Sequence, residues 1–228
     1  MREAPVHNIG AYCKKGDRIL NLEYVLPEKI EERSFEIIAS ELGDIDIPEE
    51  NLPVLMRVIH TTADFDYVKN LKFSDGAVKK ALEVLQSGAV IVTDTNMALA
   101  GINKPALKKL GCEAVCFMAD PRAAEKAKAE GTTRAAASVD IASEIKKPVI
   151  YAVGNAPTAL VRLRELIDSG KFRPELIIAM PVGFVNVVQS KELIMESDVP
   201  YIAAAGRKGG SNAAAAVCNA LMYMITRK

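Results

Sequence analysis

Aromatic residues are scarce in this chain of 228 residues, which has no tryptophan, six tyrosines and six phenylalanines. Proteins that hold single-stranded nucleic acid stack its bases on aromatic side chains, so the scarcity argues against such a platform. Neither sign of charge is in excess, because 29 basic and 29 acidic residues give a formal net charge of zero. This balance argues against binding to nucleic acid or to a membrane surface, although it permits a local basic pocket.

Long apolar runs are also missing. The N-terminal residues contain no apolar signal segment, and no uninterrupted apolar run is long enough to cross a bilayer. We therefore expect a cytoplasmic protein with no membrane partner. Half of the residues are hydrophobic, and a chain of this length and composition can bury a sizeable core in one domain.

Residues that bind metals are few and scattered. The chain has two histidines, His7 and His60, and four cysteines. Cys112 and Cys116 bracket an apolar run that we interpret as a strand, and their spacing differs from the two-residue gap of a usual zinc or redox pair. We therefore predict no metal site and interpret the cysteines as buried free thiols. The cysteines are Cys13, Cys112, Cys116 and Cys218.

From Ser74 onward, short runs rich in β-branched residues alternate with helical segments. Such runs suit strands that are buried on both faces, and the alternation indicates a parallel sheet covered by helices. The sequence therefore predicts a single α/β domain over residues 27–228, with a mainly parallel five-stranded sheet, helices on both faces and N-terminal helices. We interpret residues 1–26 as an arm. The predicted strands are residues 89–93, 113–118, 148–153, 176–180 and 200–204.

Two helices are predicted before the sheet. Pro27 suits the start of the first helix and Gly43 suits its end. The second helix is predicted to take Pro48 and the two following glutamates as its first turn and to run to His60. Ser74 is the predicted N-cap of the next helix. Further helices are predicted over residues 74–85, 105–110, 121–130, 135–145, 157–168, 187–196 and 211–225.

His60 is the histidine with a clear structural context. It would lie near the C-terminus of its helix, where the helix dipole favours the protonated imidazole. Arg57 precedes it by one turn, so the two side chains lie on neighbouring parts of one helix face. A histidine in this position beside a cation suits a general acid that acts on an anionic molecule. A hydrogen-bonded structural histidine fits the same residues.

The loops that follow the predicted strands carry glycine, amide and cationic residues. Ligands of such sheets bind beyond the carboxyl ends of the strands, and loops that open into helices direct backbone N–H groups toward anions. Each loop taken alone also fits an ordinary turn or helix cap. Arg134 adds a cation at a predicted helix start. The loops are residues 94–96, 120–122, 154–158, 181–186 and 206–211.

Common nucleotide and hydrolase motifs do not fit. Arg207, Lys208 and the Gly209–Gly210–Ser211 turn have the composition of a phosphate-binding loop in the wrong order. The segment after the first strand lacks the glycine spacing of a dinucleotide fingerprint, and the chain has no Gly-x-Ser-x-Gly elbow. These residues leave a site with one histidine, an anion-binding crevice and no cofactor.

An ordered set of motifs over residues 24–226 resembles the precorrin-8X methylmutase family, whose members are also called cobalt-precorrin-8 methylmutases. Each motif is weak alone, but their order along the chain is highly specific. The motifs are Ile30-Glu-x-Arg33-Ser34-Phe, Arg57-x-Ile-His60, Asp120-Pro-Arg122, Thr133-Arg134-x-Ala-Ala, Gly154-Asn155-Ala-Pro-Thr-Ala159, Met180-Pro-Val-Gly183-Phe184, Ser190-Lys191 and Gly206-Arg207-x-Gly209-Gly210-Ser211.

This resemblance implies an isomerase that moves a methyl group within ring C of a contracted tetrapyrrole and needs no cofactor. It implies that His60 handles a proton at the ring C nitrogen and that cations and helix N-termini bind the substrate's many carboxylates. It also implies a homodimer with sites near the subunit interface. The predicted substrate-binding residues are Arg33, Ser34, Arg57, Arg134, Asn155, Gly183, Arg207, Gly209, Gly210 and Ser211.

Two other functions remain open from the sequence. A tetrapyrrole carrier or regulator on the same fold would bind the macrocycle without needing His60. A phosphate- or nucleotide-binding α/β enzyme would bind its ligand through residues 209–211.

Overall fold

The structure is a computed structural model that describes residues 23–227. His7, Cys13 and most of the predicted arm therefore lie outside the described residues, and the predicted boundary between arm and domain stays a prediction. The chain divides into two compact units, Met1–Gly43 and Asp44–Lys228. In the first unit a 3₁₀ turn at Pro27–Lys29 leads directly into helix α1, Ile30–Leu42, which ends at Gly43 as predicted.

The second unit alternates strands and helices as the sequence predicts from Ser74 onward. Its strands are β1 (Leu71–Phe73), β2 (Val90–Thr93), β3 (Glu113–Cys116), β4 (Val149–Val153), β5 (Leu176–Ala179) and β6 (Tyr201–Ala204). Its helices are α2 (Leu52–Thr62), α3 (Tyr67–Asn70), α4 (Ala77–Gln86), α5 (Asn96–Gly101), α6 (Lys104–Leu110), α7 (Pro121–Glu130), α8 (Arg134–Ala142), α9 (Pro157–Asp168), α10 (Val187–Met195) and α11 (Ser211–Thr226).

The strands form one six-stranded sheet in the order β1-β6-β5-β4-β2-β3. Strands β2 to β6 are parallel, and β1 pairs antiparallel with β6 at one edge, with Leu71 opposite Ala204. The predicted count of five was therefore one too low. The missing strand is only three residues long and has a lysine at its centre, so it lacks the β-branched run that marks the parallel strands.

Helices cover both faces of the sheet. One face packs against α8, α9 and α10 through a cluster of buried side chains that includes Tyr151, Leu160 and Ile194. Alternate strand residues such as Ile150 point to the opposite face, where α11 packs on β4 and β5. Strands β2, β4 and β5 are buried along their whole length, as predicted. The outer strand β3 is only partly buried because it has a single neighbour.

Some local predictions differ from the structure. Ser74 does not cap α4, which begins at Ala77 after Gly76, because its hydroxyl oxygen accepts the backbone N–H of Tyr201 at 2.9 Å. The segment after Pro48 is a turn before α2 and not its first helical turn. Helices α3 and α5 were not predicted, since four and six residues are too short to show helical periodicity.

The cysteine prediction is correct for two of the described thiols. Cys112 and Cys218 are free and buried, and burial raises the pKa of the Cys218 thiol to about 12. Cys116 is free but only half-buried, because it ends the edge strand β3.

Candidate active site

His60 lies in the last turn of α2, on the exposed side of the helix. The helix ends at Thr62, and Ala63 takes the left-handed conformation with its N–H bonded to the carbonyl of Ile59. Asp64 then accepts the N–H of Asp66 at 3.0 Å, which turns the chain away from the helix. The predicted position of His60 near a helix C-terminus is therefore correct.

Lys208 connects the end of α2 to the loop that follows β6. Its ammonium group donates to the carboxylates of Asp64, at 2.7 Å, and Asp66, at 2.6 Å. The hydrogen bond from Lys208 lowers the pKa of the Asp64 carboxyl below its usual range. The two segments are 142 residues apart in the sequence, so this ion-pair cluster positions the helix that bears His60 beside the loop that bears Arg207.

The loop after β6 also bonds to the loop after β5. The N–H of Gly183 donates to the carbonyl of Arg207 at 3.2 Å, and the N–H of Gly210 donates to the carbonyl of Met180 at 2.8 Å. A side chain at Gly209 would overlap the backbone carbonyl of Met180, so this close approach requires glycine. The structure therefore brings three predicted site residues, Gly183, Gly209 and Gly210, into one pair of joined loops.

Arg207 projects from this loop pair and remains exposed. Its guanidinium lies over the ring of Phe184, 5.3 Å from the ring centre, in a cation–π arrangement. Phe184 and Val185 are 80% and 79% exposed, which is unusual for large apolar side chains. The carboxyl edge of β5 and β6 thus presents a cation beside an apolar surface, a combination that suits a large apolar ring with carboxylate side chains.

The loop after β4 uses its backbone N–H groups inside the protein. The buried carboxylate of Asp94 accepts the N–H groups of Gly154 at 2.7 Å, Asn155 at 2.8 Å and Ala156 at 2.7 Å. The N–H groups predicted to attract an anionic ligand at this loop therefore bind Asp94 instead. Burial raises the pKa of the Asp94 carboxyl, and the three N–H donors offset part of the rise. The Asn155 side chain is exposed, and its contact with substrate stays a prediction.

Ser211 is buried at the start of α11, and its hydroxyl shares a hydrogen bond of 2.7 Å with the hydroxyl of Thr95. The helix start approaches β4 so closely that a Cβ at Gly154 would lie 2.6 Å from the Cα of Ser211. The structure therefore fills the edge between β2 and β4 with its own residues, and Ser211 is part of that packing.

Arg134 is the first residue of α8 and is exposed. The hydroxyl of Thr133, which caps this helix by accepting the N–H of Ala136, also shares a hydrogen bond of 2.8 Å with Thr158 of α9. The bond links the start of α8 to the start of α9. Arg134 is thereby placed at the same edge of the sheet as the loop that contains Asn155.

Arg57 lies half-buried on α2, one turn before His60. Its guanidinium is over the ring of Tyr223 in α11, 5.1 Å from the ring centre. Arg227 lies over the same ring at 3.5 Å. Two cations therefore share one aromatic ring beside the helix that bears His60.

Arg33 and Ser34 belong to the N-terminal unit, where both are partly exposed on α1. Arg33 forms ion pairs with Glu23 at 2.7 Å and with Glu36 at 3.0 Å. The hydroxyl of Ser34 donates to the carbonyl of Ile30 at 2.8 Å. Their predicted contacts with substrate stay predictions.

A cavity of about 420 Å³ beside α8 and α9 is lined by Glu130, Asp140, Glu165 and Arg162, and none of the predicted site residues lines it. Arg162 pairs with Asp140 at 2.8 Å and with Glu165 at 2.7 Å, so its charge is already matched and we do not assign the cavity to an anionic ligand. Across residues 23–227 no group of three or more histidine, cysteine, aspartate or glutamate side chains is arranged to hold a metal ion. No helix in the described part of the chain is both long and apolar enough to cross a membrane.

Two features of the site were not predicted. The ion pairs of Lys208 with Asp64 and Asp66 join distant segments of the chain. The spacing of the two aspartates just after a helix end was the only sequence signal for this cluster, and it is a weak one. Lys191 is fully buried on α10; it belongs to the Ser190-Lys191 motif of the resemblance, but no role was predicted for it. Its position among the apolar residues of an amphipathic helix is the signal that could have indicated its burial.

The fold and this edge define an α/β enzyme of the class that binds its ligand beyond the carboxyl ends of a parallel sheet. The family model described as precorrin-8X methylmutase matches residues 29–224. The chain therefore belongs to the precorrin-8X methylmutase family, and it is a methylmutase, an isomerase of corrin biosynthesis.

Curated relatives and solved structures support the assignment over most of the chain. A cobalt-precorrin-8 methylmutase from Salmonella typhimurium is 44% identical over 211 residues, covering 86% of this chain and 95% of the relative. A precorrin-8X methylmutase from a Sinorhizobium species is 37% identical over 194 residues, covering 84% and 92%. The crystal structure of a precorrin-8X methylmutase from Thermus thermophilus superimposes with a TM-score of 0.81 at 41% identity, covering 87% of this chain and 98% of that one.

Proposed function

We propose that the protein moves a methyl group from an α-carbon to the neighbouring β-carbon within ring C of precorrin-8X or cobalt-precorrin-8, giving hydrogenobyrinate or cobyrinate, with His60 as proton donor and acceptor. The observation that carries the proposal is the ion-pair cluster of Lys208, Asp64 and Asp66. It connects the end of the His60 helix to the loop of Arg207, so a proton donor and a carboxylate-binding cation lie on connected segments.

The proton step follows from the chemistry of the ring. Protonating or hydrogen-bonding the ring C nitrogen draws electron density from the ring and eases migration of the methyl group. A positioned general acid of this kind typically contributes a factor of about a hundred to ten thousand in rate. His60 is exposed in the last turn of α2, where its imidazole is accessible to a bound macrocycle. The remaining acceleration comes from holding the flexible macrocycle in a reactive shape.

The charges of the edge suit the carboxylates of the substrate. Arg57, Arg134 and Arg207 are guanidinium groups, which can bind a carboxylate through two parallel hydrogen bonds. Phe184 offers an exposed apolar surface next to Arg207. Because the whole chain has a net charge of zero, the attraction for a polycarboxylate comes from these local groups and not from an overall basic surface.

We also propose a cytoplasmic homodimer whose sites lie near the subunit interface. The resemblance to the family supports the dimer, and the exposed apolar pair Phe184 and Val185 gives the carboxyl edge a surface suited to burial. Sedimentation equilibrium would report twice the chain mass of 24.6 kDa for a dimer. A mass of one chain at all concentrations would count against it.

An absorbance time course tests the activity. Purified protein is mixed with precorrin-8X and, separately, with cobalt-precorrin-8, beside the variants His60→Ala and His7→Ala. We expect wild type and His7→Ala to convert a substrate to the corrin-type spectrum, and His60→Ala to bind it without turnover. The faster of the two conversions identifies the preferred substrate.

Two outcomes would contradict the proposal. Full activity of His60→Ala would remove the proton role. A spectral shift that stops at one equivalent per site, equal in wild type and His60→Ala, would mean binding without catalysis, as expected of a carrier.

A further inference from the structure

Lys191 of α10 is fully buried, and neither the proposed proton chemistry nor the proposed substrate contacts use it. Its ammonium donates to the carbonyl of Gly206 at 2.9 Å and to the carbonyl of Lys208 at 2.7 Å. Among the described residues both of its hydrogen-bond acceptors are backbone oxygens. Burial lowers the pKa of Lys191 to about 8. A lysine kept in such surroundings at a cost in solvation calls for a function that needs its position.

The two acceptors flank Arg207. The carbonyl of Arg207 itself accepts the N–H of Gly183 at 3.2 Å. Three consecutive carbonyls of the loop are therefore held, the outer two by Lys191 and the middle one by the loop after β5. The turn that brings the outer carbonyls together uses Gly206 at a φ of 79°, a conformation that glycine adopts without strain.

The same loop is held on its outer side by the ammonium of Lys208, through Asp64 and Asp66 at the end of the His60 helix. Lys191 therefore fixes the inner side of a segment whose outer side is tied to α2. Between the two lysines lies Arg207, with its side chain directed over Phe184.

We infer that Lys191 is a positioning residue for substrate binding, whose ammonium holds the 206–208 backbone so that Arg207 is presented to a carboxylate of the substrate. The inference rests on the proposed function for the identity of the substrate. Its claim about the structure does not depend on the substrate. That claim is that the 206–208 loop keeps its shape only when Lys191 binds the two carbonyls.

The structural content is tested by amide hydrogen exchange, without any ligand. The variant Lys191→Met keeps the approximate length of the side chain and removes the donors, and Lys79→Met is the matched control, since Lys79 is exposed on α4. We expect the N–H groups of Gly183 and Gly210 to exchange about ten to a hundred times faster in Lys191→Met, the equivalent of losing a charged hydrogen bond. Rates in β4 should change less, and Lys79→Met should match wild type.

Equal acceleration in the loops and in β4, or no acceleration in the loops, would overturn the inference. The first result would mean that Lys191 supports only the fold as a whole. The second would mean that the loop keeps its shape without the ammonium.

The link to Arg207 is tested by a double-mutant cycle with hydrogenobyrinate as the probe, using calorimetry to measure affinity. We expect Lys191→Met to weaken binding about tenfold in the wild-type background, as a displaced charged contact predicts. In the Arg207→Ala background the same change should alter affinity less than about twofold, because the group that Lys191 positions is already absent.

An equal loss in both backgrounds would overturn the role through Arg207. Failure of wild type to bind hydrogenobyrinate would count against the proposed function, while the exchange measurement would still decide whether Lys191 holds the loop. The two ideas therefore fail in different experiments.

Discussion

The guanidinium of Arg57 lies over the ring of Tyr223, 5.1 Å from the ring centre, so α11 supports the arginine one turn before His60. The guanidinium of Arg227 also lies over the Tyr223 ring, 3.5 Å from the ring centre. A cation held over an aromatic ring is restricted in its rotamers before substrate arrives. Tyr223 thus restricts the positions that the Arg57 guanidinium can take.

This arrangement predicts different losses for the two partners. Arg57→Ala should weaken binding of hydrogenobyrinate by about 1.5–3 kcal/mol, the value of a charged hydrogen bond in a desolvated contact. Tyr223→Leu should cost only about 0.5–1 kcal/mol, because it removes the cation–π support and leaves the charge. Calorimetric titration measures both.

Tyr223→Phe is the matched control for this pair. It keeps the ring, so its affinity should equal that of wild type. Unchanged affinity in Arg57→Ala would place Arg57 outside the pocket. A loss in Tyr223→Phe equal to that in Tyr223→Leu would show that the hydroxyl matters and not the ring.

Asp94 predicts a stability effect at the edge between β2 and β4. Its carboxylate is 1% exposed and accepts three backbone N–H groups from residues 154–156. Asp94→Asn would turn an amide NH₂ toward at least one of these donors, which leaves buried polar groups unpaired. We expect the free energy of unfolding to fall by about 2–4 kcal/mol.

Urea denaturation checks this expectation, with the slope against denaturant unchanged and the midpoint lowered. The matched control is Asp75→Asn, since Asp75 is exposed before α4, and it should stay within about 0.5 kcal/mol of wild type. A small change at Asp94 would mean that the 154–156 turn does not depend on the carboxylate.

Lys191 predicts a pH dependence of stability. Burial lowers its pKa from 10.5 to about 8 in the folded protein. Between these two values the unfolded chain binds more protons than the folded one, so the contribution of Lys191 to stability rises with pH across this range. Below pH 8 the folded state bears the cost of the buried charge in full.

The measurement compares the unfolding free energies of wild type and Lys191→Met from pH 7 to 10.5. We subtract the unfolding free energy of Lys191→Met from that of wild type at each pH. This difference should increase by up to about 3 kcal/mol as the pH rises, which is the free-energy equivalent of the change in the pKa of Lys191. Groups common to both proteins cancel in the difference. A constant difference would show that Lys191 keeps an ordinary pKa when folded.

Much of the fold follows from local patterns. The β-branched run at Val90–Thr93 predicts a strand buried on both faces, and it lies at the centre of the sheet. Asp120 followed by proline predicts the start of α7, and the Asp120 carboxylate accepts the N–H of Arg122 at 2.9 Å. Such signals succeed because the partners are within a few residues of each other. By contrast, Leu71–Phe73 is a strand because it pairs with the edge of β6, a partner that its local sequence does not indicate.

The sequence by itself determined the βα alternation, the helix that ends just after His60 and the family to which the ordered motifs point. Tertiary structure decided the partners of the buried charges. Asp94 binds amides 60 to 62 residues away, and Lys208 binds aspartates 142 and 144 residues away. Hydrophobic periodicity reports which face of an element is buried and carries no information about which distant loop lies against it. Those pairings arise only when the sheet brings the carboxyl ends of its strands to one edge.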